Sequence, residues 1–301
     1  MSVTDESLQA LRGMAGVAPV AASPAPRVGA ASPVSADRAA ASARPIIVVK
    51  PASAIPAVPT QPKVVVSAPP ARPLPAPPVL TLPAGSKAER LAWVHAQIAR
   101  CPVTLEHLKP REKPVLGYGS AEAKILFIGE APNVEEAEAG RAFVGAAGEL
   151  LRKVIAATGL GDGEVYVTSL MGWRPEPPTA YGKRPPNAGE VAFNLPYLRA
   201  QIDAIQPKVI VALGAQALEA LADTKRTITQ ERGVWREFAG RPLMPTFHPN
   251  YILHNSSLTV KRTLWEDFLL IMEKVGVEPT AKQRGFFLAP PRAPAGEGAE
   301  G

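Results

Sequence analysis

A single cysteine, Cys101, among 301 residues excludes an intrachain disulfide and fits a reducing, cytoplasmic setting. Long apolar runs are missing too. No stretch approaches the roughly 18 residues that cross a bilayer, so no membrane-spanning helix is expected. The first residues carry Asp5 and Glu6 and lack the apolar block of a signal peptide, which speaks against a secretory or organellar leader. Aromatic residues make up 6% of the chain, and none falls in the first 85 positions. No repeat of about 20–50 residues is apparent, which argues against a solenoid or propeller.

The aromatic-free stretch holds 16 of the 34 prolines. At that density neither helix interiors nor central strands form, and no large side chains offset the entropy of ordering. Residues 1–85 therefore read as a disordered, partly polyproline-like tail. At its start Thr4 or Asp5 is placed to cap a short helix with Leu8, Leu11 and Met14 on one face. A frayed terminus and a docking peptide for a protein partner both remain open readings. The net charge of +6 and pI near 9.5 suit a polyanionic partner. Seven Lys/Arg against three Asp/Glu lie in the tail, however, so charge says little about the rest. Residues 278–301, ending "APPRAPAGEGAEG", read as a second tail, leaving 86–277 as the globular unit.

Within that unit "AERLAWVHAQIAR" (88–100) places Leu91, Val94 and Ile98 at helical spacing before Pro102. Four segments read as strands: "AKILFIG" (123–129), "EVYVTSL" (164–170), "PKVIVALG" (207–214) and "PLMPTFHP" (242–249). The first and third are nearly continuous apolar runs, as in strands covered on both faces. Helical patterns fall at 147–158, 188–205, 214–222 and about 259–275. Strands alternating with helices predict an α/β fold, a three-layer α/β/α arrangement on a mainly parallel four-stranded sheet. In such sheets ligands sit beyond the carboxyl ends of the strands. Those ends carry Gly129-Glu130-Ala131-Pro132-Asn133, Thr168-Ser169 and His248-Pro249-Asn250.

The blocks "GEAPNVEEAEAGRAFVGAAGELL", "EVYVTSLMGWRP", "QIDAIQPKVIVALGAQAL" and "RGVWREFAGRPLMPTFHPNYIL", in this order, resemble the family 4 uracil-DNA glycosylases and the wider uracil-DNA glycosylase superfamily. The resemblance spans about residues 99–275. It implies a monomeric, monofunctional glycosylase of base-excision repair, hydrolysing the N-glycosidic bond of uracil or a related deaminated base flipped out of DNA. The departing base is anionic and the sugar oxocarbenium-like, so both charges need support.

By that resemblance Phe143 stacks on the base, an interaction worth about 1–3 kcal/mol, Glu130 orients water and offsets the sugar cation, and His248 donates to uracil O2. Gly145 and Gly148 lead into a helix start suited to a DNA phosphate. Leu253, in the loop with Tyr251, Ile252 and His254, is placed as a wedge for the gap in the duplex. Arg141, Lys183, Arg184 and Arg241 are candidate phosphate neighbours. Read without the resemblance, the same residues have plainer uses: Phe143 in a core, Glu130 as a helix cap, His248 as a structural imidazole, and the cations as solvated surface.

Four departures from the family stand out. Ser169 occupies the position of an Asn that pairs with uracil N3-H and O4, and a hydroxyl makes one directional contact at a time. Asn133 replaces the usual Gly after Pro132, where its side chain would narrow the pocket mouth or supply the missing amide. Family 4 enzymes hold a [4Fe-4S] cluster on four cysteines, but here Cys101, Thr104, Trp173 and Asn194 stand at those positions, so no iron-sulfur cluster and no other metal is expected. An insert, "PEPPTAYGKRPPN", mixes Tyr181 with Lys183 and Arg184, which suits single-stranded nucleic acid or a plain surface loop. The rival expectation is a non-catalytic DNA-binding adaptor on the same fold. A small-molecule Rossmann enzyme is disfavoured because no G-x-G-x-x-G follows the first strand.

Overall fold

The computed structural model describes residues 73–176, 184–222, 224 and 226–288. The proposed N-terminal docking helix, Tyr181, Lys183 and the last residues of the C-terminal tail lie outside them. Ser86 and Glu89 cap each other's backbone at the start of α1 (Lys87–Ala99), which buries Leu91, Val94 and Ile98. Cys101 precedes α2 (Pro102–Glu106), whose first residue is a proline that has no N-H to leave unpaired. β1 (Tyr118–Gly119) and β2 (Ile125–Gly129) follow, then α3 (Val134–Ala139) and α4 (Gly145–Thr158). After β3 (Val165–Ser169) come α5 (Ala188–Ile205), β4 (Val209–Leu213), α6 (Ala215–Ala222) and α7 (Ile228–Glu231). The chain then forms β5 (Arg236–Phe238), β6 (Arg241–Thr246), α8 (Pro249–His254), α9 (Leu258–Val275) and α10 (Ala281–Arg284).

The strands join in one sheet of order β1-β3-β2-β4-β6-β5. β3, β2, β4 and β6 run parallel and are the four strands expected from the sequence. β1 and β5 are two and three residues long, pair antiparallel at the edges, and are too short and half-exposed to leave an apolar signature.

Alternation along the strands builds a core on each face. Ile125 and Phe127 of β2, with Val165, Val167, Val209, Val211 and Met244, pack against α4 and α9. Leu126, Ile128, Tyr166, Ile210, Ala212 and Leu243 pack against α1 and α5. No described helix is long and apolar enough to cross a membrane.

The described fold extends past 86–277 at both ends. Residues 73–85, assigned to the tail by their prolines, lay Leu74, Leu80 and Leu82 on the α1–α5 core. At the other end Gln283 of α10 accepts the Trp265 indole N-H through its carbonyl at 2.7 Å, and its amide donates to the Ala157 carbonyl at 2.8 Å. Phe286 packs 5.2 Å from the Trp265 ring. Isolated apolar residues among prolines and polar residues carry no periodicity, so neither extension has a sequence signal.

Candidate active site

Parallel strands bring their carboxyl ends to one edge, and register decides which residues meet there. Gly129 pairs with Ser169 across β2 and β3, and Leu213 with Thr246 across β4 and β6. Glu130, Ser169 and His248 therefore emerge side by side. They share a cavity of about 440 Å³ with Phe143, Asn133 and Gln216, whose wall also includes Arg174 and Arg184.

Phe143 is held from several directions. Its backbone is left-handed at φ +51°, a conformation unusual for a bulky side chain, and the residue is 2% exposed. The buried carboxylate of Glu136 accepts its N-H at 2.6 Å. Its carbonyl lies where a Cβ on Gly148 would be, and its ring edge lies where a Cβ on Gly129 would be, so both positions need glycine. The ring is near-parallel to that of His248, with centroids 5.5 Å apart and planes at 23°. A base between the two rings would need about 7 Å, twice the closest carbon contact. The two rings are therefore too close to admit a base between them.

Glu130 is half-buried at the start of α6, where its Oε1 accepts the Gln216 N-H at 3.2 Å. Burial raises its pKa above the ordinary glutamate value, outweighing the lowering by the Gln216 and Ala215 backbone N-H groups. Gly214 makes this approach possible. At φ +98° it sits where any Cβ would collide with Glu130 Oε1 and lie 3.0 Å from the His248 Cβ.

His248 precedes α8, and its Nδ1 accepts the Asn250 backbone N-H at 3.1 Å. A backbone N-H only donates, so Nδ1 carries no proton and the neutral ring is protonated at Nε2. The ring therefore offers a donor.

Ser169 is buried at 7% exposure beside Gly129. Asn133 lines the cavity, but its Oδ1 accepts the Glu136 N-H at 2.9 Å while Glu136 Oε2 accepts the Asn133 N-H at 2.8 Å. This is a capping box. With the carbonyl committed to α3, the side-chain NH2 is what remains to face a ligand.

The outer residues are less convergent. Gly148 serves the close approach of Phe143, and at Gly145 the Glu135 carboxylate lies where a Cβ would point, so an acid already stands beside this helix start. Leu253 is half-buried against the α4–α9 core, whereas Tyr251 and Leu258 are exposed. Arg141 stacks its guanidinium 3.8 Å above the Tyr118 ring. Arg184 makes two 2.7 Å bonds to Glu190, and Arg174 is bonded to Glu112 at 2.9 and 3.0 Å. Arg241 is misplaced by the sequence reading. It begins β6, whose far end carries the site, so it lies at the opposite edge of the sheet.

A family model described as the uracil DNA glycosylase superfamily matches residues 116–269, which include all three strand ends. The chain belongs to this superfamily. It is similar to a type-4 uracil-DNA glycosylase of Thermotoga maritima, 37% identical over 184 residues, 60% of this chain and 93% of that protein. A type-4 uracil-DNA glycosylase of Sulfurisphaera tokodaii is 36% identical over 59% of this chain and 81% of its own length. One from Pyrobaculum aerophilum is 37% identical over 56% and 87%.

Cys101, Thr104, Trp173 and Asn194 are all buried. Thr104 and Asn194 meet at Gly172, next to Trp173: Asn194 Oδ1 accepts the Gly172 N-H at 3.0 Å, and a Cβ there would lie 3.8 Å from Thr104 Cγ2. Trp173 fills the space, its ring 4.9 Å from His107 and 5.9 Å from Phe193. Among the described residues its indole N-H has no partner. One thiol with a hydroxyl, an amide and an indole does not fit an iron-sulfur cluster.

Proposed function

We propose that this chain is a monofunctional DNA glycosylase of base-excision repair that hydrolyses the bond between sugar C1′ and uracil, or a related deaminated base, in DNA. The observation that carries the reading is the single cavity shared by Phe143, Glu130 and His248. Phe143 stacks the flipped base. As the glycosidic bond breaks, its electron pair leaves with the base, and His248 Nε2-H donates to the oxygen that gains charge. Glu130, anchored to α6 by one oxygen, polarises with the other the water that adds to C1′. Its carboxylate also faces the cationic sugar. The products are the free base and an abasic site, and among the described residues no lysine lines the cavity to form a Schiff base.

Ser169 reads the base edge with a hydroxyl, and the Asn133 NH2 contributes a donor from the mouth. This pairing is weaker than an amide's paired bonds, so selectivity among deaminated bases is expected to be relaxed. Trp173 and its aromatic neighbours brace the loops that a cluster would otherwise hold, and the domain works without iron. Leu253, Gly145 and Arg141 are assigned to the DNA side of the cavity.

The test is incubation with single- and double-stranded oligonucleotides containing uracil, hypoxanthine or xanthine, followed by alkali cleavage of abasic sites. Cleavage lost in Glu130→Gln and His248→Ala supports the glycosylase. Tight binding without cleavage, unchanged by either substitution, makes the protein an adaptor.

A further inference from the structure

We infer that Asp267, acting with Arg232, is a positioning residue for His248. This inference rests on the glycosylase reading only for its catalytic consequence. Asp267 lies on α9 and is fully buried. Its Oδ2 accepts the Thr246 hydroxyl at 2.5 Å and Arg232 Nε at 3.1 Å, and its Oδ1 accepts Arg232 Nη2 at 2.7 Å. Arg232 Nη2 also donates to the Thr263 carbonyl at 2.6 Å, which fixes the guanidinium on α9.

The three residues that lead into His248 are each tied to this pair. The Pro245 carbonyl accepts the Gly233 N-H at 3.2 Å, and Gly233 is left-handed at φ +73° with space for a Cβ closed by Asp267 Oδ1 at 3.0 Å. Thr246 holds Asp267 through its hydroxyl and accepts the Gly214 N-H through its carbonyl at 2.9 Å. The Phe247 ring lies 5.8 Å from the Arg232 guanidinium. Gly214 in turn abuts both Glu130 and His248. The buried ion pair therefore sets where the end of β6 stops and which way the imidazole leaves it.

Desolvation pushes the Asp267 carboxyl up to about 6, against the lowering by the Thr246 hydroxyl and by Arg232. Arg232 is the charged group that faces it from another element among the described residues. Glu266, on the same helix, opposes its ionisation, and β6 presents a hydroxyl. Glu231, next to Arg232 in sequence, turns to Arg236 and Arg226 instead. An asparagine at 267 imitates the acid form in shape and charge.

The decisive comparison uses the full chain and the variants Asp267→Asn and Thr246→Val, the second removing only the hydroxyl contact should the first fail to fold. The Asn250 amide, whose N-H reports on His248 Nδ1, is followed by NMR at pH 7.5. It is expected to shift in both variants, and an unchanged signal overturns the inference whether or not the protein cleaves uracil. Single-turnover cleavage of saturating uracil DNA is expected to fall about ten- to a hundredfold in Asp267→Asn with DNA affinity unchanged, the range for a group displaced by about an ångström. In a His248→Ala background the same substitution is expected to do nothing further. An equal loss in both backgrounds, or a loss confined to affinity, overturns the inference. A wild-type protein that leaves every base intact instead refutes the glycosylase reading and leaves the NMR outcome to decide this one.

Discussion

Gly129→Ala probes how the Phe143 platform is held. Gly129 has no positive φ, so its backbone accepts alanine, and in a strand that exchange alone stabilises by about 0.5–1 kcal/mol. The added Cβ, however, would lie 2.6 Å from Phe143 Cζ and closer still to Cε2. Carbon contacts settle near 3.5 Å or beyond, so the ring must retreat by about 1 Å. Retreat is opposed by His248 on one side and by a backbone fixed through Glu136 and Gly148. Overpacking of this kind costs about 1–3 kcal/mol and so outweighs the strand gain. For a domain of this size each kcal/mol lowers Tm by about 2–4 °C, so after the strand gain the net fall is up to about 10 °C by calorimetry. A displaced platform also loses stacking of about 1–3 kcal/mol, so uracil excision is expected to slow about five- to 150-fold. In a Phe143→Ala background the clash is gone, and Gly129→Ala should raise Tm. A variant as stable and active as the parent, or one equally harmed in both backgrounds, refutes the packing described for Phe143.

Glu130→Gln should keep the fold, because its amide oxygen can still accept the Gln216 N-H, while single-turnover cleavage drops about 10²–10⁴-fold. In the wild type the rate should fall as pH drops through a carboxyl pKa above the usual 4.5, and the variant should lack that limb. Asp267 makes a separate claim on stability. Its carboxyl is raised from 3.8 to about 6, so its contribution is fully present below 3.8 and lost as pH rises through about 6, a difference of about 3 kcal/mol. The stability of wild type relative to Asp267→Asn, read from urea unfolding, should therefore increase on acidification from pH 8 to 5; a constant difference contradicts the burial assigned to Asp267. Iron analysis of anaerobically purified protein should give well under one iron per chain, and Cys101→Ala should cleave as the parent does. Four irons per chain would overturn the packed Trp173 site.

The parallel centre of the sheet was legible because β2, β3, β4 and β6 are runs whose two faces are largely buried, and α1 and α9 carry clean helical spacing. β1 and β5 were not, since two or three half-exposed residues leave no pattern. Leu74, Leu80 and Leu82 were hidden among prolines, whose spacing says nothing about what a nearby groove will accept. At the site, Glu130, Ser169 and His248 could be found because strand ends in a parallel sheet must share an edge. The same rule places Arg241 at the wrong edge once the direction of β6 is followed. Gly214 had a readable signal, a glycine directly after an apolar strand, but the reason for it is the meeting of Glu130 with His248. Asn133 and Glu136 also carried one, the N-x-x-E pattern of a capping box, which accounts for much of what Asn133 does. Arg232 and Asp267 are 35 residues apart, and only the tertiary fold brings them under Thr246.

The central claim is that Phe143, Glu130 and His248 form a working glycosylase cavity without an iron-sulfur cluster. Its most direct test is alkali-sensitive cleavage of a uracil-containing oligonucleotide by the purified, iron-free protein beside His248→Ala. The account predicts cleavage by the wild type and a loss of about 10²–10³-fold in the variant, the usual effect of removing one donor to a developing anion. Intact DNA with both proteins, or equal cleavage by both, would contradict it.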